Sequence, residues 1–371
     1  FETANGAAPA NWQFISWGTN TATSAYLTTG LSGSRSVRAD VTSYSNGAAN
    51  WYYSPVSITG GKSYKFEVWY QSNVDTEIDA QVVMSNGTTQ YFYVGTVLSS
   101  SVWNKASVTF TAPAGAISMS IYHILAKKGF VISDDASLSE YTPAQFNRPL
   151  ISLTFDDGWR SIYTGGLPLL NKHGFKSTQY VLTDTITYPE YMTVAMMQDF
   201  FNQGNEIASH TLSHANLTIL STSQLATELT NSQATLRQWF GPSVAQNFAT
   251  PYGAYNSAVL TQIKKYYQSH RSVNPGYNSK DNFDIYNIKV QNIQRTTTAA
   301  QVRDWVNQAI ATNSWLVLVY HEVDDSPTDP TYSVSPASLD QQLSVIKQSG
   351  IIVMTVSQAL NEISSQLSSA P

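Results

Sequence analysis

Apolar and polar positions follow two different periods along this chain, and the change falls near Thr142. Up to Tyr141 the pattern is short alternating segments at 36–41, 51–53, 63–70, 78–84, 90–94, 105–111 and 119–124, separated by Gly, Ser, Asn and Pro. Alternation with period two, broken by turn residues and with no amphipathic helix between, predicts an antiparallel β-sandwich of the jelly-roll kind over residues 1–142. After Thr142-Pro143 apolar runs suited to buried strands, at 150–155, 178–182, 205–208, 246–249, 285–290, 315–320 and 351–354, alternate with helical stretches. The helices are expected near 161–173, 194–203, 224–239, 256–267, 299–312, 336–348 and 356–365, and Ser221-x-x-Gln224 supplies a capping box for the third. Repeated β-then-α units predict a parallel sheet closed as a (β/α) barrel over residues 143–371, with the strand ends at Phe155, Ser209, Thr250 and Tyr320 on one face. The tail from Ser364 reads as a linker stub.

Composition narrows the function. A net charge of −5 with 12% charged residues gives no basic field for nucleic acid or an anionic membrane. No apolar run reaches the length of about eighteen residues that a membrane span needs. The chain has no cysteine, which removes disulfides and Cys-based zinc sites but locates the protein in neither redox compartment. Its 22 tyrosines and 9 tryptophans on a weakly charged background suit neutral sugars. A start at Phe1 rather than Met suggests a processed chain, and with the composition it leads to the expectation of a secreted or cell-wall associated protein.

The candidate chemistry begins at Thr154-Phe155-Asp156-Asp157-Gly158, where an apolar run ends on two adjacent carboxylates. Such charges destabilise a strand end unless they are paired, hydrated or bound to a cation. About fifty residues on, His210-Thr-Leu-Ser-His214 places two imidazoles four apart. Taken together these residues offer what a hydrolytic metal site requires: three ligands, an open position and a spare carboxylate to act as base. Separately, the carboxylates would read as a turn or helix N-cap, and the histidines as a pair on a helix face.

At these residues the chain resembles the carbohydrate esterase family 4, or NodB-homology, polysaccharide deacetylases, over roughly 145–360. The resemblance implies a distorted barrel of the polysaccharide deacetylase type, with Asp156 as base and Asp157, His210 and His214 as metal ligands. The metal it implies is zinc, although two imidazoles and a carboxylate also accept cobalt or nickel. Phe248-Ala-Thr-Pro-Tyr-Gly253 resembles the family's Arg-x-Pro-Tyr motif. Pro251 and Tyr252 would then face the substrate, the Tyr252 N–H serving the oxyanion. The motif's Arg, which in the family orients and tunes the base, is here Ala249; Arg271 is the first candidate to replace it and Arg295 the second. Leu316-Val-Leu-Val-Tyr-His321 resembles the closing motif, which makes His321 the general acid. The Asp that tunes this His in the family has no clear counterpart, with Asp281, Asp284 and Asp304 as candidates.

The expected reaction is metal-dependent deacetylation of an N-acetylated polysaccharide such as chitin, peptidoglycan or exopolysaccharide. The alternatives are O-acetyl esterase action on xylan, and a silent glycan-binding protein in which the loss of the motif Arg has ended catalysis. A Ser-based hydrolase lacks its Gly-x-Ser-x-Gly elbow here, and adjacent carboxylates do not flank a bond as a glycosidase requires. The N-terminal segments loosely resemble jelly-roll carbohydrate-binding modules. Candidate stacking residues are Trp12, Trp17, Trp51, Tyr52, Tyr53, Tyr91, Tyr93 and Trp103, of which two or three should face a ligand while the rest fill the core. Glu2 with Asp134 or Asp135 could hold a structural calcium.

Overall fold

The structure is a computed structural model that describes residues 1–368. The chain divides into two compact units, Phe1–Thr142 and Pro143–Pro371. In the first, two antiparallel sheets face each other. One runs Thr89–Val97, Thr76–Met84, Ala116–Ile124, Ala48–Tyr53, Trp12–Trp17, with Val56–Ser57 also paired to Ala116–Ile124. The other runs Ser100–Thr111, Ser63–Ser72, Gly129–Glu140, Ser36–Tyr44, Asn20–Leu27. The alternation does its work directly: Tyr64, Phe66, Val68 and Tyr70 of one sheet and Ile78, Ala80 and Val82 of the other are buried in a shared core, while their neighbours face outward. Trp51 belongs to that core and is enclosed by it, whereas Trp12 is partly buried, packing on Phe1 at 4.3 Å between ring centroids. The carboxylates considered for calcium are engaged instead by one loop: Glu2 accepts from the Ser34 and Arg35 N–H groups, and Asp134 from Leu31 N–H.

The second unit is a closed, all-parallel barrel of seven strands: β1 Leu150–Phe155, β2 Thr178–Val181, β3 Glu206–Ser209, β4 Asn247–Ala249, β5 Ser269–Pro275, β6 Ile288–Asn292 and β7 Trp315–Tyr320, with β7 closing on β1. Strands covered on both faces read as continuous apolar runs, and all six residues of β1 and of β7 are buried. The helices are α1 Leu167–His173, α2 Val194–Asn202, α3 Thr222–Phe240, α4 Ser257–Tyr266, α5 Ala299–Thr312, α6 Pro336–Ser349 and α7 Val356–Ser368. Thr193, Ser221, Asn256, Thr298 and Ser335 each accept an N–H of the first turn and so fix where α2 to α6 begin. Ser221 and Thr298 form full capping boxes with Gln224 and Gln301.

Three expectations need correction. The strand sought at 351–354 is only an isolated bridge between Ile151 and Val353, and the seventh strand is β5, whose Ser-His-Arg-Ser-Val-Asn-Pro sequence has no apolar run. Its polar side chains are buried but hydrogen-bonded: Ser269 donates to Asn247, Ser272 to Ile288 C=O and Arg271 to Asp156. The tail from Ser364 is not a linker stub: α7 continues through Ser368, and residues 369–371 lie outside the described ones. The helix expected from 161 opens as a π-turn, Ile162–Gly166, before α1.

Candidate active site

The site forms where the strands end. Asp156 is the first residue past β1, and its N–H donates to Tyr320 C=O at the end of β7 (2.9 Å), which ties the two strand ends together. Asp157 then takes a left-handed backbone, φ 71°, so the two adjacent carboxylates leave the chain in different directions. His210 follows β3 directly, but the His210–His214 segment is a loop rather than a helix. Thr211 and His214 adopt φ 79° and 63°, and Tyr252, beyond β4, φ 58°. Half of the eight non-glycine residues with positive φ among the described residues therefore belong to this one mouth. Strain of this kind, of order 1–3 kcal/mol per residue, persists only where the surroundings impose it.

What imposes it is readable. Glu228 of α3 reaches under the histidine loop and accepts from Leu212 N–H, Ser213 N–H and the Ser213 hydroxyl. Thr211 Oγ1 accepts from His214 N–H at 3.0 Å. His210 Nδ1 donates to the Ala249 carbonyl at 2.9 Å, which leaves Nε2 as the nitrogen that carries a lone pair. Asp157 Oδ1 lies 3.4 Å from His210 Nε2 and 3.3 Å from His214 Nε2, yet it is buried and has no hydrogen-bond partner among the described residues. The three ligand atoms fall within 4.8 Å of one another. An orphaned anionic oxygen facing an imidazole lone pair is unfavourable by itself and is resolved by a cation between them, so the donors fit a divalent metal.

Asp156 is almost fully buried. Its Oδ2 accepts from Arg271 Nη2, and its Oδ1 has no partner among the described residues. Arg271 is wholly buried on β5, with its guanidinium 5.1 Å from the centre of the Tyr180 ring. Its register explains the contact: Arg271 is the paired neighbour of Ala249 across β4 and β5. A small side chain at 249 and a long one at 271 put the guanidinium in the same row, one strand over. Arg295 is elsewhere, donating to the Asp324 and Asp325 carbonyls.

His321, the first residue past β7, brings Nε2 to 3.8 Å from Asp156 Oδ2. Its Nδ1 is buried without a partner among the described residues. None of the three aspartates considered for it bonds there: Asp281 accepts from the Ser279 hydroxyl, Asp284 from Tyr286 N–H, and Asp304 acts electrostatically on Tyr277. Pro251 is buried, whereas Tyr252 is exposed with its ring edge-on to His214 at 4.5 Å. Burial holds His270, beneath Thr250, down at about 4 and therefore neutral. Sequence reasoning overlooked Glu228, Thr211 and Trp159, whose indole N–H donates to Asp157 Oδ2 at 2.9 Å. Trp159 alone left a trace in the sequence, as a large donor two residues after the carboxylate pair.

Residues 144–268 match the Polysaccharide deacetylase family. YxkH of Bacillus subtilis is 27% identical over 159 residues, which are 42% of this chain and 57% of that protein. The peptidoglycan-N-acetylmuramic acid deacetylase PdaC of the same organism is 30% identical over 121 residues, 32% of this chain and 24% of its own length. The chain thus spans little more than half of the first of these relatives and about a quarter of the second. Among solved structures, the Xyl-CE4 domain of a multidomain xylanase from the hindgut metagenome of Trinervitermes trinervoides is 22% identical, with a TM-score of 0.44 over 58% of this chain and 91% of that one.

Proposed function

We propose, from the match of residues 144–268 to the Polysaccharide deacetylase family, that the protein hydrolyses acetamido groups on an N-acetylated polysaccharide, releasing acetate and leaving a free amino sugar. The observation that carries this reading is the convergence at one barrel mouth of an orphaned Asp157–His210–His214 donor set with a second, arginine-held carboxylate and a histidine. Asp157, His210 and His214 would hold a divalent cation, for which zinc suits the donor set and cobalt or nickel are substitutes. When bound, the cation supplies a Lewis acid that acidifies water and polarises a carbonyl.

The chain's own groups do the rest. Asp156 Oδ1, buried and unpaired, takes the proton from the attacking water as the new C–O bond forms, while Arg271 holds Oδ2 and fixes the aim of the carboxylate. The N–H of Tyr252, in its left-handed turn, is the donor for the carbonyl oxygen as that oxygen gains negative charge. His321 delivers a proton to the amine nitrogen as the C–N bond breaks, so that the leaving group departs neutral. A secreted or wall-associated location belongs to the same proposal.

We also infer that the first unit binds the polymer. The outer face of its six-stranded sheet carries Tyr93, Asp79, Tyr122, Tyr52 and Gln13 as one transverse row of paired neighbours. Tyrosine rings stack on the apolar faces of sugars and their hydroxyls meet polar edges.

The test is acetate release from N-acetylglucosamine oligomers by protein stripped with chelator and then given zinc. Activity that vanishes and returns supports the reading. Silence in both states, with acetylxylan hydrolysed instead, replaces it with an O-acetyl esterase.

A further inference from the structure

Trp159 lies outside the groups assigned above, yet it is built into the site from two sides. Its backbone forms an antiparallel bridge with Tyr191. On either side of that bridge Arg160 N–H donates to Glu190 C=O at 2.7 Å, and Met192 N–H donates to Gly158 C=O at 2.8 Å. The segment before α2 is thereby strapped to the turn that follows the two carboxylates. Above the strap the Trp159 and Tyr191 rings stack at 4.5 Å between centroids and 18° between planes, which leaves the indole little freedom to turn. Its N–H is directed to Asp157 Oδ2 at 2.9 Å.

A carboxylate has two oxygens and rotates easily about its last bond. At Asp157 they have opposite fates: Oδ2 is tied to the indole, and Oδ1 is left buried and unpaired toward the two histidine Nε2 atoms. Without the indole bond nothing among the described residues holds Oδ2, and the carboxylate could turn and meet the ion position with either oxygen or neither. We propose that Trp159, braced by Tyr191, is a positioning residue that orients Asp157 as a one-oxygen metal ligand and thereby sets the protein's affinity for the metal. The proposal rests on the reading of Asp157, His210 and His214 as ligands. Hydrogen bonds to ligating groups typically change metal affinity about 10–100-fold when removed.

The experiment is zinc affinity of the full chain, measured by competition with a chelating dye at pH 7, with the melting temperature of the metal-free protein recorded alongside. Trp159→Phe keeps a ring for Tyr191 and removes the donor, and it is expected to weaken zinc binding about 10–100-fold while the metal-free melting temperature holds. Tyr191→Ala keeps the donor and loses the brace, and a smaller loss is expected. Should Trp159→Phe melt early without metal, benzothienylalanine at 159, which has sulfur in place of the indole N–H, carries the same expectation. Affinity for either donor-less protein within about twofold of the parent overturns the proposal. A parent that binds no zinc overturns the ligand reading itself and this inference with it, whereas a parent that binds beside an unchanged variant overturns this inference alone.

Discussion

A guanidinium without access to water has to have its charge answered within the protein, and among the described residues the ion pair of Arg271 is with Asp156. The pair is therefore structural and functional at once, and the two roles separate by substitution. Arg271→Met leaves Asp156 buried and unpaired; it should cost about 3–5 kcal/mol of stability by urea unfolding and about 100-fold in kcat through a misplaced carboxylate. Adding Asp156→Asn should restore most of the stability, because no buried charge remains, and should leave the protein inactive. Moving the guanidinium back, as Ala249→Arg with Arg271→Ala, should recover part of the activity, because the two positions are paired neighbours. No recovery together with normal folding would refute the one-strand displacement. The sequence announces the loss at 249 plainly, but choosing Arg271 over Arg295 from sequence is a guess. Only the register of β4 against β5 shows which arginine reaches Asp156, and β5 has no apolar pattern to reveal it as a strand.

At the scale of the element, legibility follows the physics of burial. β1 and β7 are covered on both faces and announce themselves as apolar runs, and the capped helices announce their own starts. The histidine loop does not: its spacing imitates a helix, while Glu228 and two left-handed residues hold it open, and neither leaves a local trace. The sheet of the first unit was legible as alternation, but which aromatics face outward depended on register. Its row of tyrosines surrounds Asp79, whose Oδ1 is buried without a partner among the described residues and whose carboxyl burial pushes up to about 6. A carboxyl whose pKa is raised on folding favours the folded state below its unfolded value near 3.8. That contribution is lost as pH rises through about 6. At pH 8 the ionised Asp79 therefore weighs against the fold, by about 1 kcal/mol once solvent screening at this partly exposed position is allowed for. Asp79→Asn should raise the melting temperature of the first unit by a few degrees at pH 8 and leave it unchanged at pH 4. Equal shifts at both pH values would assign the effect to packing rather than charge. A carboxylate kept at such a cost fits a ligand that donates hydrogen bonds to it, as a sugar hydroxyl can.

For the whole molecule, the question is what a sandwich adds to a barrel that carries the proposed reacting groups. Tethering a binding surface to a hydrolytic one raises the effective concentration of polymer near the barrel mouth without altering its chemistry. The gain exists only where the substrate is long enough to touch both surfaces, and it fades when substrate is saturating. This separates the two units without cutting them apart. Tyr93→Ala in the full chain removes an outward ring from the row while leaving the buried alternation of Ile78, Ala80 and Val82 untouched. At low concentrations of an insoluble N-acetylated polymer, acetate release should fall several-fold, in line with the roughly 0.5–1.5 kcal/mol that an aromatic contact contributes. On soluble N-acetylglucosamine tetramers, and on saturating polymer, the rate should match the parent. A loss on tetramers would mean that the substitution acts through stability, which a melting curve reads directly. Equal rates on every substrate would remove this face from polymer binding and turn attention to Trp12 and Tyr53, whose rings meet edge-on at 5.5 Å beside Phe1.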